Sequence, residues 1–113
     1  MSDREMLELA AKAANLQTWT NEDGGLYLPD PMRRWHPLAD DGDALRLLAA
    51  MPSLWSLSLK FGAPTVEMNV WWGTGGEKTN KIAREFAGDG VDVAAAIRRA
   101  IVRAAADVGR DVS

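Results

Sequence analysis

The sequence predicts an α+β domain: a two-layer fold with a mainly antiparallel sheet and helices packed on one face, in the order α-β-β-α-β-β-β-α. Three observations predict it. Segments at both ends of the chain carry apolar residues at helical spacing. Two central segments alternate apolar and polar residues. No βαβ alternation interrupts them. The 113 residues suffice for one domain, spanning 1–113, with one core.

Residues 2–16 predict the first helix. Ser2 and Glu5 have capping-box spacing, and Met6, Leu9, Ala10 and Ala13 recur on one face. Gln17 to Thr20 is short and β-prone, "NEDGG" supplies turn chemistry, and "LYL" resumes a strand. The resulting hairpin ends at Pro29 and Pro31, and Trp19 and Trp35 flank it as anchors to the core. A second helix begins near Pro37 or Asp41 and ends at Met51, before Pro52. Leu45, Leu48 and Ala49 form its apolar side.

"LWSLSLKFG" alternates, with Leu54, Ser56 and Ser58 on one face and Trp55, Leu57 and Leu59 on the other. "TVEMNVWW" places Val66, Met68, Val70 and Trp72 opposite Thr65, Glu67, Asn69 and Trp71. Gly62, Ala63 and Pro64 turn between these strands. Residues 78–87 fit either a strand or a helix. The strand is favoured because two strands precede it and a sheet gains from a third. The last helix, 91–108, carries Ala94, Ile97, Ile101, Ala105 and Val108 on one stripe, with Arg99 and Arg103 opposite and Arg110 in register if the helix extends. The terminal "RDVS" is expected to fray.

Composition narrows the function classes. Hydrophobic residues are 47% and charged residues 26%, as in an ordinary globular domain. The chain has no cysteine, which excludes disulfides and thiolate metal sites and fits a reducing cytoplasm. Its net charge of -3 requires any nucleic-acid contact to use a local basic patch. The charged, amphipathic N-terminal segment reads as neither a signal peptide nor a membrane span.

No catalytic constellation emerges. "WWGTGGEKT" (71–79) resembles the end of a phosphate-binding loop, but that motif needs glycine where Trp72 and Glu77 stand. A glycine-rich hairpin loop explains it better. Asp40, Asp41 and Asp43 lack calcium-loop spacing. They suit a helix start, or an acidic patch for a protein partner. His36, the one histidine, has no assignable acid or nucleophile beside it. No cofactor or metal is expected.

Two surfaces remain. Trp71 and Trp72 are adjacent in a strand, so one lies on the face away from the helices. That residue is an anchor for a protein partner, or is covered by neighbouring side chains or by a homodimer. Lys78, Lys81, Arg99 and Arg103 offer a basic face for nucleic acid. Double-stranded RNA-binding domains are similar in their α-β-β-β-α order, but here the last helix starts with the acidic "GDGVDV".

"WHPLADDGDALRLL" (35–48), "AAAIRRAIVRAAADVG" (94–109) and "NEDGGLYLPD" (21–30) resemble small phage and prophage accessory proteins, loosely the NinX-like group of unknown function. Asparagine is expected in that group where His36 stands. The resemblance implies a non-catalytic protein acting in the cytoplasm of a bacterial host. By analogy with small phage proteins, it binds a host protein, with defence systems of the CRISPR type among the targets. It implies no catalytic residues.

Overall fold

The computed structural model describes residues 2–20, 22–29, 32–51, 54–62, 65–72, 79–86 and 93–111. The protein is a small α+β fold. Its elements run α1 (Asp3–Ala13), β1 (Trp19–Thr20), β2 (Leu26–Pro29), β3 (Met32–Trp35), α2 (Asp41–Ala50), β4 (Leu54–Gly62), β5 (Thr65–Trp72), β6 (Thr79–Phe86) and α3 (Val93–Asp111). Two antiparallel sheets form among the described residues, ordered β1-β2-β3 and β4-β5-β6. The expected order therefore gains a strand. Proline at 29 does not end the first sheet, because the last residue of β2 pairs with Met32 and the chain returns along β3.

α1 starts where Ser2 Oγ accepts the Glu5 N–H at 3.1 Å. It stops sooner than the 2–16 expectation. Asn15 adopts φ 56°, the Asn15 N–H donates to the Lys12 carbonyl, and the Leu16 N–H donates to the Ala11 carbonyl. These bonds form a Schellman close, with asparagine in the left-handed position that usually takes glycine.

α1 packs on α3 through small residues. Ala10, Ala13, Ala100, Ala104 and Ala105 are buried, as are Val102 and Val108. Their size lets the two backbones approach closely. A Cβ built at Gly109 would overlap the Leu9 carbonyl. α3 is thus buried over more than the expected stripe, because α1, α2 and the second sheet all pack against it. Ala94 is exposed and Ile97 only half-buried, at the margin of that contact. The helix also runs through Arg110 and Asp111, past the expected fraying point.

The first sheet turns one face inward. Leu26 and Trp35 pair in register and are both buried, joining the core of α1, α2 and α3. Trp19 pairs instead with Tyr27 on the outer face and is 44% exposed. It does not anchor the hairpin to the core as expected, because it sits on a two-residue edge strand.

In the second sheet, 79–86 is a strand, paired with β5 from Thr65↔Phe86 to Trp72↔Thr79. β4 carries a bulge, since Leu54 pairs with Trp72 and Ser56 with Trp71. Leu54 and Ser56 therefore lie on opposite faces, which corrects their shared assignment from simple alternation. Register places Leu54, Leu57, Leu59 and Phe61 on one face with Val66, Met68, Val70 and Glu85. α3 lies over this sheet at β5 and β6.

Candidate functional site

The aspartates at the start of α2 form an internal clamp. Asp40 is the N-cap, and its Oδ2 accepts the Asp43 N–H at 2.8 Å. Asp43 reaches back further than a capping box does. Its Oδ2 accepts the His36 N–H at 2.9 Å. Its Oδ1 accepts from Arg33 at 2.8 Å and from Arg46 at 3.0 Å. Asp43 is 2% exposed. Burial opposes its ionisation, but the His36 N–H and the two guanidinium groups outweigh that cost, so its carboxyl is held below the ordinary aspartate value.

Asp41 pairs with Arg98 at 2.5 Å, and Arg98 also donates to the Leu38 carbonyl at 2.9 Å. Arg46 lies 3.7 Å from Asp40. The expected acidic patch is therefore matched by three arginines, Arg33, Arg46 and Arg98. Asp40 and Asp41 remain at the surface, whereas Asp43 faces inward. The carbonyl of His36 accepts the Ala39 and Asp40 N–H groups, so His36 closes the turn before the helix instead of capping it. Its Nδ1 is buried with no hydrogen-bond partner among the described residues.

Beside this clamp, α2 and α3 leave an apolar groove of about 290 Å³. Ala44, Leu45, Ala94, Ile97 and Ile101 line it, with the Asp41–Arg98 pair among the lining residues. Leu45 is 65% exposed and Val93, at the start of α3, 46%. Sequence reasoning assigned Leu45 to the packed side of α2. The buried or half-buried stripe is instead Ala44, Leu47, Leu48 and Met51, a full i, i+3, i+4, i+7 set. That set is complete without Leu45, and the spare leucine was the available signal.

A larger cavity, about 540 Å³, is lined by Met6, Glu85, Arg99, Arg103, Ala106, Asp107 and Arg110. The predicted basic residues Arg99 and Arg103 meet here, but around a carboxylate. Arg103 binds Glu85 at 2.7 Å, and Arg99 lies 3.7 Å from Glu85 and 3.1 Å from Asp3. Arg110 pairs with Asp107 at 3.4 Å. The Arg99 and Arg103 pairs tie α1, β6 and α3 together.

Lys78 and the rest of 73–78 lie outside the described residues, as do the side chains of Lys81, Trp71 and Trp72. The backbone still decides one question. Trp72 and Thr79, on either side of 73–78, are cross-strand partners. The glycine-rich segment joins antiparallel neighbours, whereas a phosphate-binding loop leads from a strand into a helix. Among the described residues, no group of three or more His, Cys, Asp or Glu residues is placed to hold a metal, and no helix is long and apolar enough to cross a membrane.

No protein family, curated protein or solved structure matches the chain.

Proposed function

We propose that the protein is a single-domain, non-catalytic binding protein whose contact surface is the groove between α2 and α3. The observation that carries this reading is the exposure of Leu45 at a groove with an apolar floor. An exposed leucine at such a groove supports a contact site, because exposed apolar surface rimmed by polar residues marks interaction sites. The occupant is a protein segment that inserts an apolar side chain and sets a basic residue beside it. Asp41, which lines the groove, is already paired with Arg98, so that basic residue would share or replace this ion pair, and the chain's net charge of -3 favours its approach.

The sequence resemblance extends this reading to a phage or prophage product in the bacterial cytoplasm, occluding a host protein that includes defence machinery among its classes. The two-layer arrangement, with helices gathered on one side of β4–β6, belongs to the same proposal. It assigns the opposite face, which register gives to Trp71, to a secondary contact. Trp72 then falls on the α3 side.

The arginine cavity supports a second reading, nucleic-acid binding through Arg99 and Arg103, together with Lys78 and Lys81. Three arginines line one cavity. Binding a phosphate there requires displacing Glu85, which makes this the weaker reading.

The test is capture of the tagged protein's partners from a bacterial lysate, with and without nuclease. A specific protein retained after nuclease treatment supports the groove reading. Capture that nuclease abolishes moves the function to the arginine cavity.

A further inference from the structure

We propose that the free edge of β4 pairs antiparallel with β4 of a second copy, about a two-fold axis at Ser58. Among the described residues, β4 pairs with β5 alone. An unpaired edge is a template for another strand, and soluble proteins blunt such edges with charge, proline or cover. The two edges of this sheet differ. β6 carries Lys81, Arg84 and Glu85. β4 reads "LWSLSLKFG", with no proline and no charge before Lys60. α3 covers β5 and β6, and the β4 edge lies beyond it. Among the described residues, β4 is therefore the unguarded edge.

The sequence of β4 is also complementary to itself. In an antiparallel pair, residues directly opposite lie on the same face. A two-fold axis perpendicular to the sheet must therefore pass through a residue and not between two residues. Centred on Ser58, the register pairs Leu57 with Leu59 of the second copy and Ser56 with Lys60 of the second copy. Apolar positions meet apolar positions on the α3 side, and polar positions meet polar positions on the other. A centre at Leu57 leaves only Ser56 to Ser58 paired, because the bulge ends the ladder there, and a centre at Leu59 makes the two copies of Lys60 diagonal neighbours. A centre at Lys60 sets two lysines face to face, which is destabilising. The Ser58 axis yields a six-stranded sheet, β6-β5-β4-β4-β5-β6, with both copies of α3 on one side. The bulge at Leu54/Ser56 limits the ladder to the stretch beyond it. This surface is separate from the α2–α3 groove, so either proposal stands without the other.

The absence of native cysteine makes the register directly testable. Residue 58 pairs with itself, at a Cα separation of about 4.5–5.5 Å that suits a disulfide. Residue 56 lies four positions from its own copy, roughly 13 Å away. Under mild oxidation, Ser58→Cys is expected to form a covalent dimer at least about tenfold faster than Ser56→Cys, since only the first meets disulfide geometry. The unmodified protein is expected to sediment at twice the 12.3 kDa chain mass. Ser58→Lys, which sets two charges face to face, is expected to sediment as a folded monomer by circular dichroism. A wild-type monomer overturns the proposal. So does equal cross-linking at positions 56 and 58. If the position 58 variants fail to fold, the wild-type mass still decides against the proposal when it is monomeric.

Discussion

Gly109 of α3 sits directly against the backbone carbonyl of Leu9 in α1. A Cβ at Gly109 would overlap that oxygen and lie 2.8 Å from its carbonyl carbon and 3.3 Å from the Ala13 nitrogen. These neighbours are helix backbone and cannot swing aside as a flexible side chain can. Gly109→Ala should therefore destabilise the protein, against the general preference of helices for alanine over glycine. Overpacking of this kind costs about 1–3 kcal/mol. Urea unfolding of the variant checks it, and a gain in stability would show that α1 and α3 are not this close.

The end of α1 provides an independent check on the same helix. Asn15 holds φ 56°, which glycine adopts freely and alanine does not. Asn15→Gly should be neutral or slightly stabilising, while Asn15→Ala should cost about 1–2 kcal/mol. Thermal melts of the two variants should move in different directions or by clearly different amounts.

The Asp43 clamp makes a third prediction. Replacing the carboxylate with an amide weakens three charge-assisted hydrogen bonds, two of them from guanidinium groups, around a buried position. Asp43→Asn should lose about 1–3 kcal/mol, the scale of a buried polar group left imperfectly paired. Asp40→Asn should lose much less, because asparagine caps a helix about as well as aspartate. Denaturant midpoints at neutral pH compare the two.

The same residue sets a pH dependence. The Asp43 carboxyl is held below its ordinary value in the folded state, so the unfolded chain takes up a proton first as pH falls. Its stabilising contribution is complete above the unfolded value of about 3.9. It is lost as pH drops through the lower folded value. Asp23, held down by the Tyr27 hydroxyl and the Gly25 N–H, acts in the same direction from the surface. Stability should fall on the acid side below about pH 4, and Asp43→Asn should flatten that fall.

Local chemistry was legible in the sequence wherever a residue type forces a conformation. Ser2 predicted its cap, the aspartates predicted the start of α2, and the alternation of 65–72 predicted a strand, which favoured a strand at 78–87 over a helix without deciding it. What failed depended on contacts from elsewhere in the chain. β3 was missed because Pro29 reads as a strand terminator, yet it ends β2 and the chain still returns to pair. The bulge in β4 is invisible to alternation, since only the partner's register reveals the extra residue. Leu45 and Leu47 are equally apolar, and the one sequence signal that separated them was that Ala44, Leu47, Leu48 and Met51 complete a helical stripe without Leu45. The partners of Arg99 and Arg103 were also hidden, because Glu85 and Asp3 reach them from distant parts of the chain. The candidate site was therefore less legible than the fold. Its acidic residues were found, but their neutralising arginines and the adjacent groove were not.

The central functional claim is that the α2–α3 groove is where a partner protein binds. The most direct measurement compares binding of a nuclease-resistant captured protein to the wild type, to Leu45→Lys and to the double variant Arg99→Gln, Arg103→Gln. Leu45 is exposed, so Leu45→Lys should leave the melting temperature nearly unchanged while weakening binding by about tenfold or more, the loss expected from a central apolar anchor. The arginine variant should bind as the wild type does. Full affinity in Leu45→Lys, with binding lost in the arginine variant, would contradict the account and place the contact at the cavity between α1, β6 and α3.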